Sequence, residues 1–145
     1  MVKALVLLCA ALLTSLTQAE QSLTKNGYEI HYNAFNSSFI TPEVAQKNGL
    51  TRSKVLALLN VSVLKVDANG GKTPVTAIIS GEARNLLQQI KPLEFTKIDE
   101  GNAIYYLSSF RFSDEELLNF VLKVQPDPNM SPIEVRFSQT FYEDR

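Results

Sequence analysis

A β-sandwich is the fold class that this sequence predicts, and three observations lead to it. The segment Val55–Ile79 contains two apolar, β-branched runs joined by a Gly-Gly turn. Several further segments alternate apolar and polar residues, which is the periodicity of strands with one buried face. A helical pattern occurs in one short segment. Seven predicted strands separated by turn residues are typical of an immunoglobulin- or fibronectin-like sandwich, with a small barrel as the alternative.

The N-terminal segment 1–19 has the pattern of a signal peptide. Lys3 gives a positive start, Ala4–Leu16 is an apolar run, and Thr17-Gln18-Ala19 ends it with small residues at the outer positions. The run is too short for a permanent membrane-spanning helix. We therefore predict cleavage after Ala19, a single domain over residues 20–145, and a periplasmic location with only transient membrane contact.

The first part of the domain predicts a strand and a helix. Gln21–Gly27 is polar, and we expect a loose lead-in there. Tyr28–Phe35 alternates and predicts the first strand. A short helix should follow, because Thr41 can cap it, Pro42 suits its first turn and Gly49 ends it.

The segment Val55–Ile79 predicts the central hairpin of the sandwich. Val55–Val66 is the first strand, Asp67–Gly71 supplies residues that tolerate positive φ, and Val75–Ala83 is the returning strand. Because side chains alternate along a strand, one face of the first strand is continuously apolar. The predicted core face consists of Val55, Ala57, Leu59, Val61 and Val63.

The C-terminal half predicts four more strands. Asn85–Ile90 is ambiguous between a helical turn and a strand extension, and one helical turn is expected at Ser113–Glu116. Asp99–Asn102 predicts a tight turn. The strands are predicted at Leu93–Ile98, Ala103–Phe112, Leu117–Gln125 and Ile133–Tyr142.

Net charge narrows the possible partners, and cysteine content indicates what stabilises the domain. The net charge of the 145 residues is −1, and basic residues are scattered, so the sequence gives no reason to expect nucleic acid as a partner. Cys9 is the one cysteine and lies in the predicted signal peptide. The domain is thus expected to fold without a disulfide, on its hydrophobic core alone.

Catalytic and metal-binding patterns are weak, so we predict a non-enzymatic protein without catalytic residues, metal ligands or cofactors. His31 is the one histidine, and a histidine-based triad or a zinc site needs further partners. Asp67–Gly70 lacks the glutamate that a calcium loop requires. The carboxylates of Asp99-Glu100 and Asp114–Glu116 stand in predicted turns, where acidic residues are common.

Aromatic residues are the remaining functional signal. Where two aromatics are adjacent in a strand, one of them must face outward. Outward aromatics can bind a peptide or a protein, so we predict an interaction patch of Phe35, Phe39, Tyr105 and Tyr142. The expected partner is a periplasmic or envelope protein, with an accessory or chaperone-like role. A small-ligand or carbohydrate-binding cleft is the alternative.

Five sequence blocks also resemble one protein family. They are His31–Ala45 (HYNAFNSSFITPEVA), Arg52–Leu64 (RSKVLALLNVSVL), Lys91–Phe95 (KPLEF), Ala103–Leu107 (AIYYL) and Arg136–Tyr142 (RFSQTFY). The chain resembles the family catalogued as domain of unknown function 4426, small exported proteins of Gram-negative bacteria. The resemblance implies a periplasmic, stand-alone domain and carries over no activity.

Overall fold

The computed structural model describes residues 21–144, so the predicted signal peptide lies outside the described residues. Those residues form ten strands, one α-helix and one 3₁₀ turn. In chain order they are β1 (Gln21–Lys25), β2 (Tyr28–Asn36), the 3₁₀ turn (Ser37–Phe39), α1 (Pro42–Lys47), β3 (Leu56–Val66), β4 (Lys72–Pro74), β5 (Ile78–Arg84), β6 (Ile90–Leu93), β7 (Thr96–Asp99), β8 (Ile104–Arg111), β9 (Glu116–Gln125) and β10 (Ile133–Phe141).

The strands form two antiparallel sheets packed face to face. The large sheet has the order β1-β2-β3-β8-β7, with β4 also paired to β3, and the small sheet has the order β10-β9-β5-β6. The predicted sandwich is confirmed. The alternative of a small barrel is wrong, because each sheet ends in two edge strands instead of closing on itself.

The core lies between the inward faces of the two sheets. Ala57, Leu59, Val61 and Val63 of β3 are fully buried, as the alternation predicted. Four phenylalanines from the small sheet and β8 pack in the same layer, with ring centroids 4.5–6.0 Å apart: Phe110, Phe120, Phe137 and Phe141. Full burial of such a side chain stabilises the fold by about 1.5–3 kcal/mol.

The prediction of a loose N-terminal lead-in is wrong, because Gln21–Lys25 forms β1. This strand pairs with β2 from Gln21↔Tyr32 to Lys25↔Tyr28. Asn26 and Gly27 connect the two strands with φ values of 55° and 82°. Positive φ at both positions is the signature of a tight hairpin turn, for which Asn-Gly is a favoured pair.

Two segments that were each predicted as one strand contain a point where the chain crosses from one sheet to the other. In Val75–Ala83, directly after β4, Val75 N still donates a hydrogen bond to the carbonyl oxygen of Val63 on β3 at 3.0 Å, and from Ile78 the chain continues as β5 in the small sheet. The Tyr106 hydroxyl accepts a hydrogen bond from Ala77 N at 2.9 Å where the chain crosses. Likewise, Leu93–Ile98 is divided into β6 and β7. The predicted central hairpin is therefore only partly correct: the turn at Asp67–Gly71 forms and returns the chain along β3 as β4, but from Ile78 onward the returning strand pairs in the small sheet, and β3 pairs mainly with β2 and β8.

The strand count rises from seven to ten, because β1 and β4 form outside the predicted strands and Leu93–Ile98 is divided into β6 and β7. Alternation marks which side chains face the core but does not say when the chain changes sheet, because both sheets contribute to the same core.

The predicted helix is confirmed as α1. Thr41 Oγ1 accepts a hydrogen bond from Val44 N at 3.3 Å, and Pro42 stands in the first turn. Gly49 follows the helix with a φ of 65°, as expected for its C-terminal end. The predicted helical turn at Ser113–Glu116 is wrong, because Glu115 adopts a φ of 61° and the segment forms a tight turn.

Candidate interaction surface at the loop end

One end of the sandwich collects several chain segments, and we call it the loop end. It consists of the 3₁₀ turn Ser37–Phe39, the loop 85–89, the turn 113–115 and the tail 142–144. The strand registers place these segments together, because β2, β5, β8 and β10 all end on this side and β9 begins there.

Side-chain hydrogen bonds join three of these segments. Asn36 Nδ2 donates to the carbonyl oxygen of Tyr142 at 2.7 Å, and the Ser38 hydroxyl donates to the carboxylate of Asp144. The tail is held in turn by Glu143 N, which donates to Asp114 Oδ1 at 2.9 Å. The C-terminal tail therefore bridges the 3₁₀ turn and the turn 113–115.

The loop 85–89 is built around one buried side chain. Asn85 is 5% exposed, and its Oδ1 accepts hydrogen bonds from Leu87 N at 3.0 Å and Gln89 N at 2.9 Å. Its Nδ2 donates to Gln89 Oε1 at 2.7 Å and to Glu116 Oε2 at 3.3 Å. These bonds fix the loop conformation and connect it to the start of β9.

Glu116 is the charged centre of this network. Lys91 Nζ lies 2.7 Å from Glu116 Oε1, and Ser113 N donates to the same oxygen at 3.2 Å. Burial raises the pKa of Glu116, but the hydrogen bonds from Lys91, Asn85 and Ser113 outweigh it and lower the pKa below its usual value of 4.5. The carboxylate is therefore ionised at neutral pH and orders the base of the loop end.

Large apolar side chains project from this fixed base. The exposed fractions are 70% for Phe39, 58% for Tyr142, 69% for Leu86 and 81% for Leu87. Phe39 and Tyr142 belong to the predicted patch, whereas Leu86 and Leu87 were missed. The sequence signal that could have found them is a pair of adjacent leucines, flanked by the polar Asn85 and Gln88, in a segment between strands.

Phe35 and Tyr105, the other predicted patch residues, lie elsewhere. Both line a groove of about 190 Å³ between α1 and the outer face of the large sheet. Val44, Leu58 and Leu107 are also part of its wall. The structure thus brings the four predicted residues together in two pairs at two separate sites.

A second cavity, of about 430 Å³, lies on the other side of the segment that follows α1. Thr51, Glu94, Thr96 and Ser109 contribute polar groups to its wall, and Leu56 contributes apolar surface. None of its lining residues is aromatic, so it lacks the flat ring against which a sugar would stack.

His31 lies outside the loop end, the groove near α1 and the cavity of about 430 Å³. Its Nε2 is 2.5 Å from Glu29 Oε1, and Lys72 Nζ is 3.0 Å from Glu29 Oε2. The hydrogen bond from Lys72, with a further one from His31, lowers the pKa of Glu29 despite the opposing effect of burial. Within residues 21–144, no three or more His, Cys, Asp or Glu side chains form a group that could hold a metal ion.

Comparison with known proteins identifies the family. The model of the domain of unknown function DUF4426 matches residues 22–144. The chain belongs to the DUF4426 family. A crystal structure of a DUF4426 protein from Pseudomonas aeruginosa PAO1 is 37% identical, with a TM-score of 0.75, and the match covers 88% of this chain and 98% of that one. The resemblance seen in the sequence blocks is confirmed.

More distant structures share the fold of this DUF4426 protein. FetP from uropathogenic Escherichia coli strain F11, produced recombinantly in the periplasm, is 15% identical with a TM-score of 0.61, and the match covers 88% of this chain and 96% of FetP. A copper-bound FetP variant gives 15% identity and a TM-score of 0.60, with 86% and 96% covered. At this identity the likeness shows the fold alone. No curated protein sequence matches the chain.

Proposed function

We propose that this DUF4426 protein is a non-enzymatic interaction module of the periplasm that binds another protein through its loop end. The observation that carries the proposal is the set of four exposed apolar side chains on loops that hydrogen bonds fix in place. Preordered loops lose little conformational freedom on binding, so more of the contact energy contributes to affinity.

The energetics favour a protein partner with an apolar recess. Burying two leucines and two aromatic rings supplies about 1.5–3 kcal/mol each before the cost of association. The two aromatic rings are of the kind enriched at the centre of protein interfaces. The polar side chains beneath them, Asn36, Asn85 and Glu116, already have hydrogen-bond partners and need none from the partner protein.

The periplasmic location is supported by two observations. Residues 1–19 have the pattern of a signal peptide, and FetP, which shares the fold, was produced in the periplasm. Within residues 21–144 no helix is long and apolar enough to cross a membrane. We expect the intact mass of the exported protein to equal that of a chain that begins at Glu20. A mass that still includes Met1 would contradict the predicted cleavage.

Site-specific photo-crosslinking in cells tests the binding proposal. A photo-reactive amino acid at Leu87 or Tyr142 should give the same dominant protein adduct, because both positions lie on one surface. Ile78 is a matched control, since it is 67% exposed and lies at the opposite end of β5. An adduct that also forms from Ile78, or no adduct from either loop-end position, would overturn the proposal.

A small-ligand site is the second candidate, because the cavity of about 430 Å³ falls within the size range of ligand sites, about 300–1,000 Å³. Thermal denaturation with periplasmic metabolites tests it, since a ligand that binds only the folded protein raises the melting temperature. The shift should disappear on substitution Ser109→Leu, which places a larger side chain in the cavity wall. The absence of sugar-stacking rings disfavours carbohydrates among these ligands.

A further inference from the structure

β10 is the most open edge strand in the described part of the chain. The small sheet ends at β10 on one side and at β6 on the other. β6 has four residues and contains Pro92, which has no backbone N–H, whereas β10 has nine residues and no proline. The edge strands of the large sheet, β1 and β7, have five and four residues. Edge strands present unpaired N–H and C=O groups that can pair with another chain.

The two sheets are offset by one strand at this edge. β10 faces β2, because the rings of Tyr32 and Phe137 lie 4.8 Å apart and Gln139 Nε2 donates to the carbonyl oxygen of Ala34 at 2.9 Å. β1 pairs with β2 on the side away from β3. β1 therefore projects one strand beyond β10, and the position beside β10 and opposite β1 is open.

Apolar side chains line this open position. Leu23 of β1, Tyr32 of β2 and Phe137 of β10 are partly buried and pack against the margin of the core. Their remaining exposed surface would be covered by inward side chains of one added strand. On the outer face of β10, Glu134 and Arg136 are 48% and 68% exposed and form an ion pair with each other, with 2.9 Å between Glu134 Oε1 and Arg136 Nη2.

The offset excludes pairing of β10 with β10 of a second copy of the chain. Pairing β10 with β10 of another copy would place that copy's β2 opposite its own β10, in the space that β1 already occupies. A single extended strand without a second layer behind it meets no such obstacle.

We propose that β10 binds an extended segment of another polypeptide by strand addition. The segment has uncharged, apolar residues at alternate positions, which face Leu23, Tyr32 and Phe137. Its outward residues favour a basic side chain opposite Glu134 and an acidic one opposite Arg136. This site runs along β10 and adjoins the loop end only at Phe141, and it does not depend on the function proposed there.

Amide hydrogen exchange measured by NMR tests the proposal on the mature protein. The probe is a nine-residue peptide with valine at alternate positions and threonine, lysine and glutamate between them. Alternate β10 amides should exchange rapidly in the free protein and become protected with millimolar peptide. A peptide of the same composition with its valines in one block is the control. Unchanged β10 amides with the alternating peptide, or protection already present in a free dimer, would overturn the proposal.

Substitution of Leu23 tests the predicted apolar seam. Leu23→Lys places a charge opposite the added strand and should weaken peptide binding by about tenfold or more, while β10 itself is unchanged. Leu23→Ala, a milder change in case the charge disturbs β1, should weaken it by about threefold to tenfold. Leu86→Ser at the loop end should leave peptide affinity unchanged. Equal affinity of wild type and both Leu23 variants would contradict the site.

Discussion

Single residues decide how the loop end is held in place. Asn85 fixes the loop 85–89, because its side-chain oxygen accepts hydrogen bonds from Leu87 N and Gln89 N. Glu116 forms an ion pair with Lys91, with 2.7 Å between Oε1 and Nζ. Buried or half-buried polar groups of this kind are costly to leave unpaired, which gives each of them a measurable effect on stability.

Glu116→Gln should destabilise the protein by about 1–2 kcal/mol at neutral pH, because it removes the charge on a partly buried hydrogen-bonded pair. The folded-state pKa of Glu116 lies below its usual value of 4.5, so the ionised carboxylate favours the folded state. That contribution is present above pH 4.5 and is lost as the pH falls through the folded-state pKa. Urea denaturation of wild type and variant should therefore show a difference that shrinks in acid.

The control for this experiment is Glu134→Gln. Glu134 pairs with Arg136 on the exposed face of β10, where the effect on stability should stay below about 0.5 kcal/mol. A pH-independent difference for Glu116→Gln would show that lost packing, not lost charge, accounts for the effect.

Gly81→Ala should destabilise the protein by about 1–3 kcal/mol through overpacking. A Cβ at this position would lie 2.6 Å from the carbonyl oxygen of Val121 on β9, which is backbone and cannot rotate away. Thermal denaturation measures the loss. An unchanged melting temperature would mean that β5 and β9 separate more easily than their pairing indicates.

At the scale of elements, β3 organises the large sheet. It is fully buried at four consecutive inward positions and lies between β2 and β8. β1 depends instead on a local turn, since Asn26 and Gly27 both adopt positive φ. The pairing of β1 is therefore sensitive to backbone strain at two residues, whereas the pairing of β3 is spread over many contacts.

Gly27→Ala should cost about 1 kcal/mol, because the φ of 82° is strained for any residue with a Cβ, although no atom lies within 4 Å of the added group. Hydrogen exchange should accelerate at the amides of β1. Gly70→Ala in the turn before β4 has the same φ of 82° and open space, so it is the matched control and should leave β1 unaffected. Equal exchange in both variants would contradict a local role for the turn.

At the scale of the whole molecule, the core and the proposed binding surfaces are separate. The core lies between the sheets, while Leu86 and Leu87 stand at one end of the sandwich in solvent. A surface that does not contribute to folding can change without loss of stability, which allows binding and folding to be measured independently.

The double substitution Leu86→Ser, Leu87→Ser should leave the free energy of unfolding within about 0.5 kcal/mol of wild type, since both side chains are exposed. Partner adducts from a photo-crosslinker at Tyr142 should be strongly reduced. Loss of stability by more than about 1 kcal/mol would instead indicate that these leucines pack in the folded protein.

The sequence by itself determined the class of fold, the core face of β3, and the helix with its Thr41 cap. These are local properties, since alternation and capping depend on residues a few positions apart. The predicted aromatic patch was only partly informative, because Phe39 and Tyr142 reach the loop end whereas Phe35 and Tyr105 line the groove near α1.

Only the tertiary structure decided which sheet each strand joins, where the chain crosses between sheets, and which edges stay open. Val75–Ala83 and Leu93–Ile98 each read as one strand, because an inward residue faces the same core from either sheet. The loop end and the edge of β10 are likewise assembled from segments far apart in the chain. Such placement depends on pairing energies between distant residues, which no local pattern encodes.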